Sequence, residues 1–164
     1  MPQHSPPVDY IDVTRDSYAA LGYSAYRWVK SEEPAPWTAP RKPLHESRIA
    51  LIASGGIYVA GQIAFHFKDD TSFRRIPTDT PTETLRATHF AYDLTDARRD
   101  PNVVFPLDTL RRLTERGKIG GLVRHAFTFM GGIYSSRRVR DELAPAIARA
   151  VVDEGADAVL LVPV

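Results

Sequence analysis

Ala156-Asp157-Ala158-Val159-Leu160-Leu161-Val162-Pro163-Val164, the last stretch of the chain, decides the fold. Ala158 to Val162 are five consecutive apolar residues following Gly155, a run that suits a central parallel strand covered on both faces. In open α/β sheets, ligands and catalytic groups gather just beyond the carboxyl ends of such strands, so chemistry is expected where this strand ends.

Working outward, Val139, Leu143, Ile147 and Val151 are spaced by four, which predicts a helix from a Ser135 or Ser136 cap to about Glu154, stopped by Gly155. Pro145 falls inside it and predicts a kink. Before the helix, Gly121 to Gly132 reads as a strand running into the pair Gly131-Gly132, so strand, turn, helix and final strand make a βαβ unit with a right-handed crossover. Arg48 to Ala53 is a second hydrophobic strand, ending in Ser54-Gly55-Gly56. Pro106, Asp108, the leucines 107, 110 and 113, and Gly117 supply the start, face and stop of another helix. Ser72–Pro77 and Asn102–Phe105 read as short extended pieces, and Thr78–Thr84 as a turn. The expected fold is α/β, a three-layer Rossmann-like or flavodoxin-like parallel sheet, incomplete at its C-terminal side.

Residues 1–47 hold seven of the 13 prolines and show no sustained apolar period, so they read as an N-terminal arm ahead of a 48–164 domain. Within the arm, Ser17–Val29, with Tyr18, Leu21, Tyr26 and Trp28, suits a short helix or hook, and Glu32–Pro43 should run extended. A length of 164 residues is that of one ordinary domain. A hydrophobic share of 43%, a charged share of 25% and a net charge of +1 lack the field of a nucleic-acid binder, and no apolar run is long enough to span a membrane. A cytoplasmic location is expected. With no cysteine, the chain has no disulfide, no thiolate metal site and no cysteine nucleophile of its own.

Both glycine pairs follow core strands and are expected on the same sheet edge as the end of the last strand. Glycines there let backbone amides approach a ligand, though the spacing is not that of a dinucleotide fingerprint, and a turn without a ligand is an equal reading. His89 and Asp93 are four apart; on a helix they would share a face, as a base with its orienting carboxylate or as a metal corner. His66 and His125 lie too far off in sequence to supply a third ligand, so a structural histidine is favoured over a metal site. Of the arginines at 74, 75, 98, 99, 111, 112, 124, 137 and 138, some would bind carboxylates and most would be surface charges.

Five segments together point to a family: Leu51–Tyr58, Asp70–Pro77, Thr88–Asp93, Asp100–Asp108 and Gly155–Val159. In this order they resemble the selenoprotein B component of glycine/sarcosine/betaine reductase and its D-proline reductase relatives. The resemblance covers about residues 48–164. It implies reductive cleavage of a carbon–heteroatom bond by a selenocysteine or cysteine nucleophile, in an oligomer with a partner subunit whose pyruvoyl group activates the amine and with a thiol reductant protein. Such a nucleophile must be anionic at neutral pH, which a selenolate or activated thiolate supplies. In the family it follows the strand equivalent to Ala158–Val162.

The expectation is therefore that residues 1–164 are the front half of a larger reductase subunit, cut at a UGA codon or by choice of end point, with the nucleophile just after Val164. Gly55, Gly56, His89, Gly131, Gly132 and Ser135 would then line the substrate pocket, with Asp93 as acid–base support beside His89. The alternative is a non-redox subunit that binds a small anion or regulates; a weaker one is an acid–base enzyme built on His89 and Asp93. A chain ending on a core strand also predicts self-association.

Overall fold

β1 (Arg48–Ala53) takes the middle of the sheet because both of its faces are apolar: Ile49, Leu51 and Ala53 enter one core while Ala50 enters another. On one side it pairs in parallel with β5 (Gly121–Leu122) and β6 (His125–Phe129), and on the other with β7 (Ala158–Val162). β3 (Phe73–Pro77) joins β6 antiparallel. The fold is α/β with a five-stranded mixed sheet; the expected all-parallel sheet is corrected at this one edge.

The computed structural model describes residues 8–25 and 29–164, and its contacts divide the chain into Met1–Pro36 and Trp37–Val164. In the first unit α1 (Tyr10–Ala20) starts where the Asp9 carboxylate accepts from the Asp12 N–H at 3.2 Å, and it buries none of its residues. The helix lies earlier than the expected Ser17–Val29 because the cap is Asp9; Tyr26 and Trp28 lie outside the described residues.

In the second unit, helices cover both faces of the sheet, giving three layers. On one face lie α3 (Leu107–Glu115) through Leu107 and Leu110, α2 (Thr95–Arg99) through Ala97, and a small antiparallel pair, β2 (Ile57–Val59) with β4 (Leu85–Ala87). On the other, Leu143, Ile147, Ala150 and Val151 pack on Ala50, Val123 and Phe127. Each large side chain buried this way contributes roughly 1.5–3 kcal/mol.

The expected helix over 135–154 forms, with the Ser135 hydroxyl accepting from the Arg138 N–H. It comprises α4 (Ser136–Arg138), a π-helical turn over Val139–Leu143, and α5 (Ala144–Asp153). The wide turn takes the place of the predicted kink: it falls just ahead of Pro145, which has no N–H to return to the preceding turn. Asn102–Phe105 is not extended; Pro101–Val103 forms a 3-10 turn because the Asp100 carboxylate accepts the Asn102 N–H at 3.0 Å.

β7 is an edge strand, not a central one. Its register runs from Ile49 opposite Ala158 to Ala53 opposite Val162, yet Val159 and Leu161 are 44% and 66% exposed. Five apolar residues in a row give no sign of whether a neighbour stands on each side, and among the described residues only β1 pairs with β7. The opposite edge is guarded: Pro77 has no N–H to offer, and the Gln62 side chain donates to the Arg75 carbonyl at 3.2 Å.

Candidate functional site

The carboxyl end of β1 is a junction made by Ser54. Its N–H donates to the Val162 carbonyl at 3.1 Å, its carbonyl accepts from the Gly131 N–H at 2.9 Å, and its hydroxyl accepts from the Val164 N–H at 2.9 Å. The ends of β1, β6 and β7 therefore meet at one point, as the glycine turns predicted. Gly55 bridges Met130, and its carbonyl accepts from the Tyr92 hydroxyl at 2.9 Å.

Gly56 is required twice over. Its φ of +67° is left-handed, and a Cβ there would lie 2.0 Å from the Thr88 carbonyl oxygen. The close approach follows from a hydrogen bond of 2.9 Å from the Thr88 N–H to the Gly56 carbonyl, which draws the 88–93 segment over the strand end. Gly131 and Gly132 are tight for a different reason: a Cβ would stand 3.0 Å from Ser54 and from the Met130 sulfur respectively. The Gly56, Gly131 and Gly132 amides already donate, to the Phe129 carbonyl, the Ser54 carbonyl and the Met130 sulfur. In this geometry the glycine pairs knot strand ends together rather than presenting amides to a ligand.

His89 sits inside that knot, 6% exposed. Its Nδ1 accepts from the Ala91 N–H at 3.1 Å, its Nε2 lies 3.2 Å from the Gly131 nitrogen, and the ring also bonds the Ser54 backbone. Burial pushes the imidazole below its ordinary value, with the Ser54 bond offsetting part of the effect. His89 is thus a buried ring held among backbone groups of the strand-end junction.

The predicted pairing with Asp93 is corrected. The 88–93 segment is not helical; Asp93 is exposed and accepts from the Thr95 N–H and hydroxyl at 2.9 and 2.7 Å, heading α2. Those bonds hold its carboxylate below the usual range. His66 and His125 are elsewhere engaged, His125 with Glu154 at 2.6 Å and His66 in a turn closed by Asp70. Among the described residues no group of three or more metal-ligating side chains forms.

Ser135 does not face an open anion site. The Asp69 carboxylate takes the N–H groups of Tyr134 and Ser135 at 2.8 and 3.0 Å, filling that helix start with a resident anion. Arg138 ties the same loop down through Thr71 and Glu142. Arg74 and Arg111 are also internal ties, Arg74 over the Phe65 ring and Arg111 to the carbonyls of Thr78 and Thr80. Arg86, which the sequence reading passed over, does project from β4 opposite Tyr58; alternation with buried Leu85 and Ala87 is the signal that would have found it.

One expectation follows from His89. Its ordinary value is 6.5 and its folded value is lower, so as pH falls the unfolded chain binds the proton first. The stabilisation is complete above about 6.5 and is lost as pH falls from there toward the folded value. Denaturation midpoints measured from pH 8 to 5 should fall with acid in the parent and fall less in His89→Gln. Equal slopes in the two proteins would remove His89 from the account.

The open five-stranded mixed sheet, with helices on both faces and its strand ends knotted at one edge, makes this a three-layer α/β domain. The family model described as glycine/sarcosine/betaine reductase selenoprotein B matches residues 23–164, and the chain belongs to that family. It is similar to the D-proline reductase subunit gamma of Acetoanaerobium sticklandii, 34% identical over 146 residues, which are 89% of this chain and 60% of that one. Two others are the glycine reductase complex component B subunit gamma of Symbiobacterium thermophilum, 31% identical over 76% of this chain and 31% of its own length, and the betaine reductase complex component B subunit beta of Peptoclostridium acidaminophilum, 29% identical over 57% and 22%. The chain therefore spans about 60% of the first of these relatives and less of the others. No solved structure matches it.

Proposed function

We propose that the chain is part of a reductase-complex subunit that cleaves a C–N type bond in a small amino-acid-like substrate. The family match over residues 23–164 carries this reading, and the convergence of the ends of β1, β6 and β7 on Ser54 supports it by giving the chemistry a fixed edge to work from. Because the 164 residues contain no cysteine, the nucleophile is a selenolate or thiolate supplied from outside them, just after Val164 or from another chain. It displaces the amine as a C–Se or C–S bond forms and C–N breaks. A thiol then attacks that sulfur or selenium, and the carbon leaves with the bonding electrons and a proton. A pyruvoyl group on a partner subunit would activate the amine, and a thiol protein would return the electrons. The role of residues 48–164 is to hold the strand that aims the nucleophile.

The test compares the 164-residue chain with a form extended by the downstream codons, each with its partner subunits and a dithiol, on glycine, sarcosine, betaine and D-proline. Reduced product from the extended form alone is expected. Equal ligand binding by both forms without turnover would replace this reading with a non-redox binding subunit. A UAA or UAG codon after Val164 with no open frame beyond it would remove the nucleophile from that position.

A further inference from the structure

A cavity of about 420 Å³ opens beside the small β2–β4 sheet, with Tyr58, Arg86, Thr88 and Arg98 on its wall and Leu85 and Ala97 among its apolar residues. Tyr58 and Arg86 are cross-strand partners and so project from the same face of the pair. Arg98 comes from α2, whose Ala97 is buried in the same core.

The wall carries two guanidinium groups and no carboxylate side chain, and neither arginine forms an ion pair among the described residues. Arg86 is already aimed. Its Nη1 donates to the carbonyls of Glu83 and Leu85 at 2.9 and 2.7 Å, which anchors the planar group by one nitrogen and leaves the Nε–Nη2 edge without an acceptor among the described residues. That edge is the one that grips a carboxylate with two parallel bonds. The hydroxyls of Tyr58 and Thr88 lie 3.4 Å apart on the same wall and add donors beside it.

We propose that this cavity binds a small organic carboxylate, held by the free edge of Arg86, the charge of Arg98 and the Tyr58 and Thr88 hydroxyls. Leu85, Ala87 and Ala97 give the cavity a small apolar share beside these polar groups, which a short hydrocarbon body would use and a bare inorganic oxyanion would not. The site is separate from the strand-end knot but joined to it: Thr88, on the cavity wall, is the residue whose N–H holds Gly56, and His89 follows it. Occupancy does not require reductase activity, so the two readings fail independently.

The test is titration of the 164-residue chain with propionate, propionamide and inorganic phosphate, followed by amide chemical shifts of residues 58, 86–88 and 97–98. Propionate should move these signals saturably, propionamide should not, and phosphate should bind more weakly. Arg86→Gln should weaken propionate binding by about tenfold or more, Arg86→Lys should fail to restore it because the fork is lost, and Arg116→Gln should leave it unchanged. Equal shifts with propionamide, phosphate binding as tight as propionate, or binding unchanged in Arg86→Gln would each overturn the assignment. Dispersion of the amide spectrum in every variant confirms that the comparison is between folded proteins.

Discussion

Gly56→Ala is expected to cost about 3–5 kcal/mol, a large share of the stability a domain of this size has. The left-handed φ of +67° alone costs an L-residue about 1–2 kcal/mol. The rest comes from the 2.0 Å approach of a Cβ to the Thr88 carbonyl oxygen, which is backbone and has no rotamer to yield with. Relief means moving the 88–93 segment away, which breaks the Thr88 to Gly56 bond and disturbs the ring of His89. Gly117→Ala separates the two contributions, because Gly117 has a φ of +65° and open space where its Cβ would go. Urea denaturation should show Gly117→Ala near 1 kcal/mol and Gly56→Ala several times that. Similar losses at both positions would mean the contact with Thr88 is not what constrains Gly56.

Phe127→Ala should cost about 3–5 kcal/mol, in the range of large-to-small substitutions at fully enclosed sites. Phe127 is 0% exposed and lies between the sheet and the helix face of Leu143, Ile147, Ala150 and Val151. Nothing nearby is free to fill the space, since β6 is held by β1 on one side and β3 on the other. Phe73, whose ring centroid is 6.1 Å from that of Phe127, is half-buried on the edge strand, and Phe73→Ala should cost clearly less. Equal denaturation midpoints for the two variants would show that the core on the α5 face is looser than its burial indicates.

What the sequence reveals here depends on range. β1, β3, α3, the Ser135 cap and the junction of both glycine pairs with the end of β7 are legible because each is written in a few adjacent residues. His89 and Asp93 mislead because a spacing of four means one helical face only if a helix forms. Here the His89 ring takes the Ala91 N–H and Thr88 is drawn to Gly56, a partner more than thirty residues away. Asp69 filling the start of the helix at Ser135 is likewise a contact across 66 residues, and no local pattern announces it. The resemblance to the selenoprotein B family was readable from five ordered segments because their order, unlike their packing, is one-dimensional.

The two borders of the sheet are chemically unequal. At β3 the Gln62 side chain takes the Arg75 carbonyl and Pro77 has no N–H to offer. At β7 the outer positions carry hydrocarbon. In the terms used for growing crystals, the β3 border is a poisoned face and the β7 border a clean one. Among the described residues, the sheet is thus blocked to a further strand at β3 and open to one at β7.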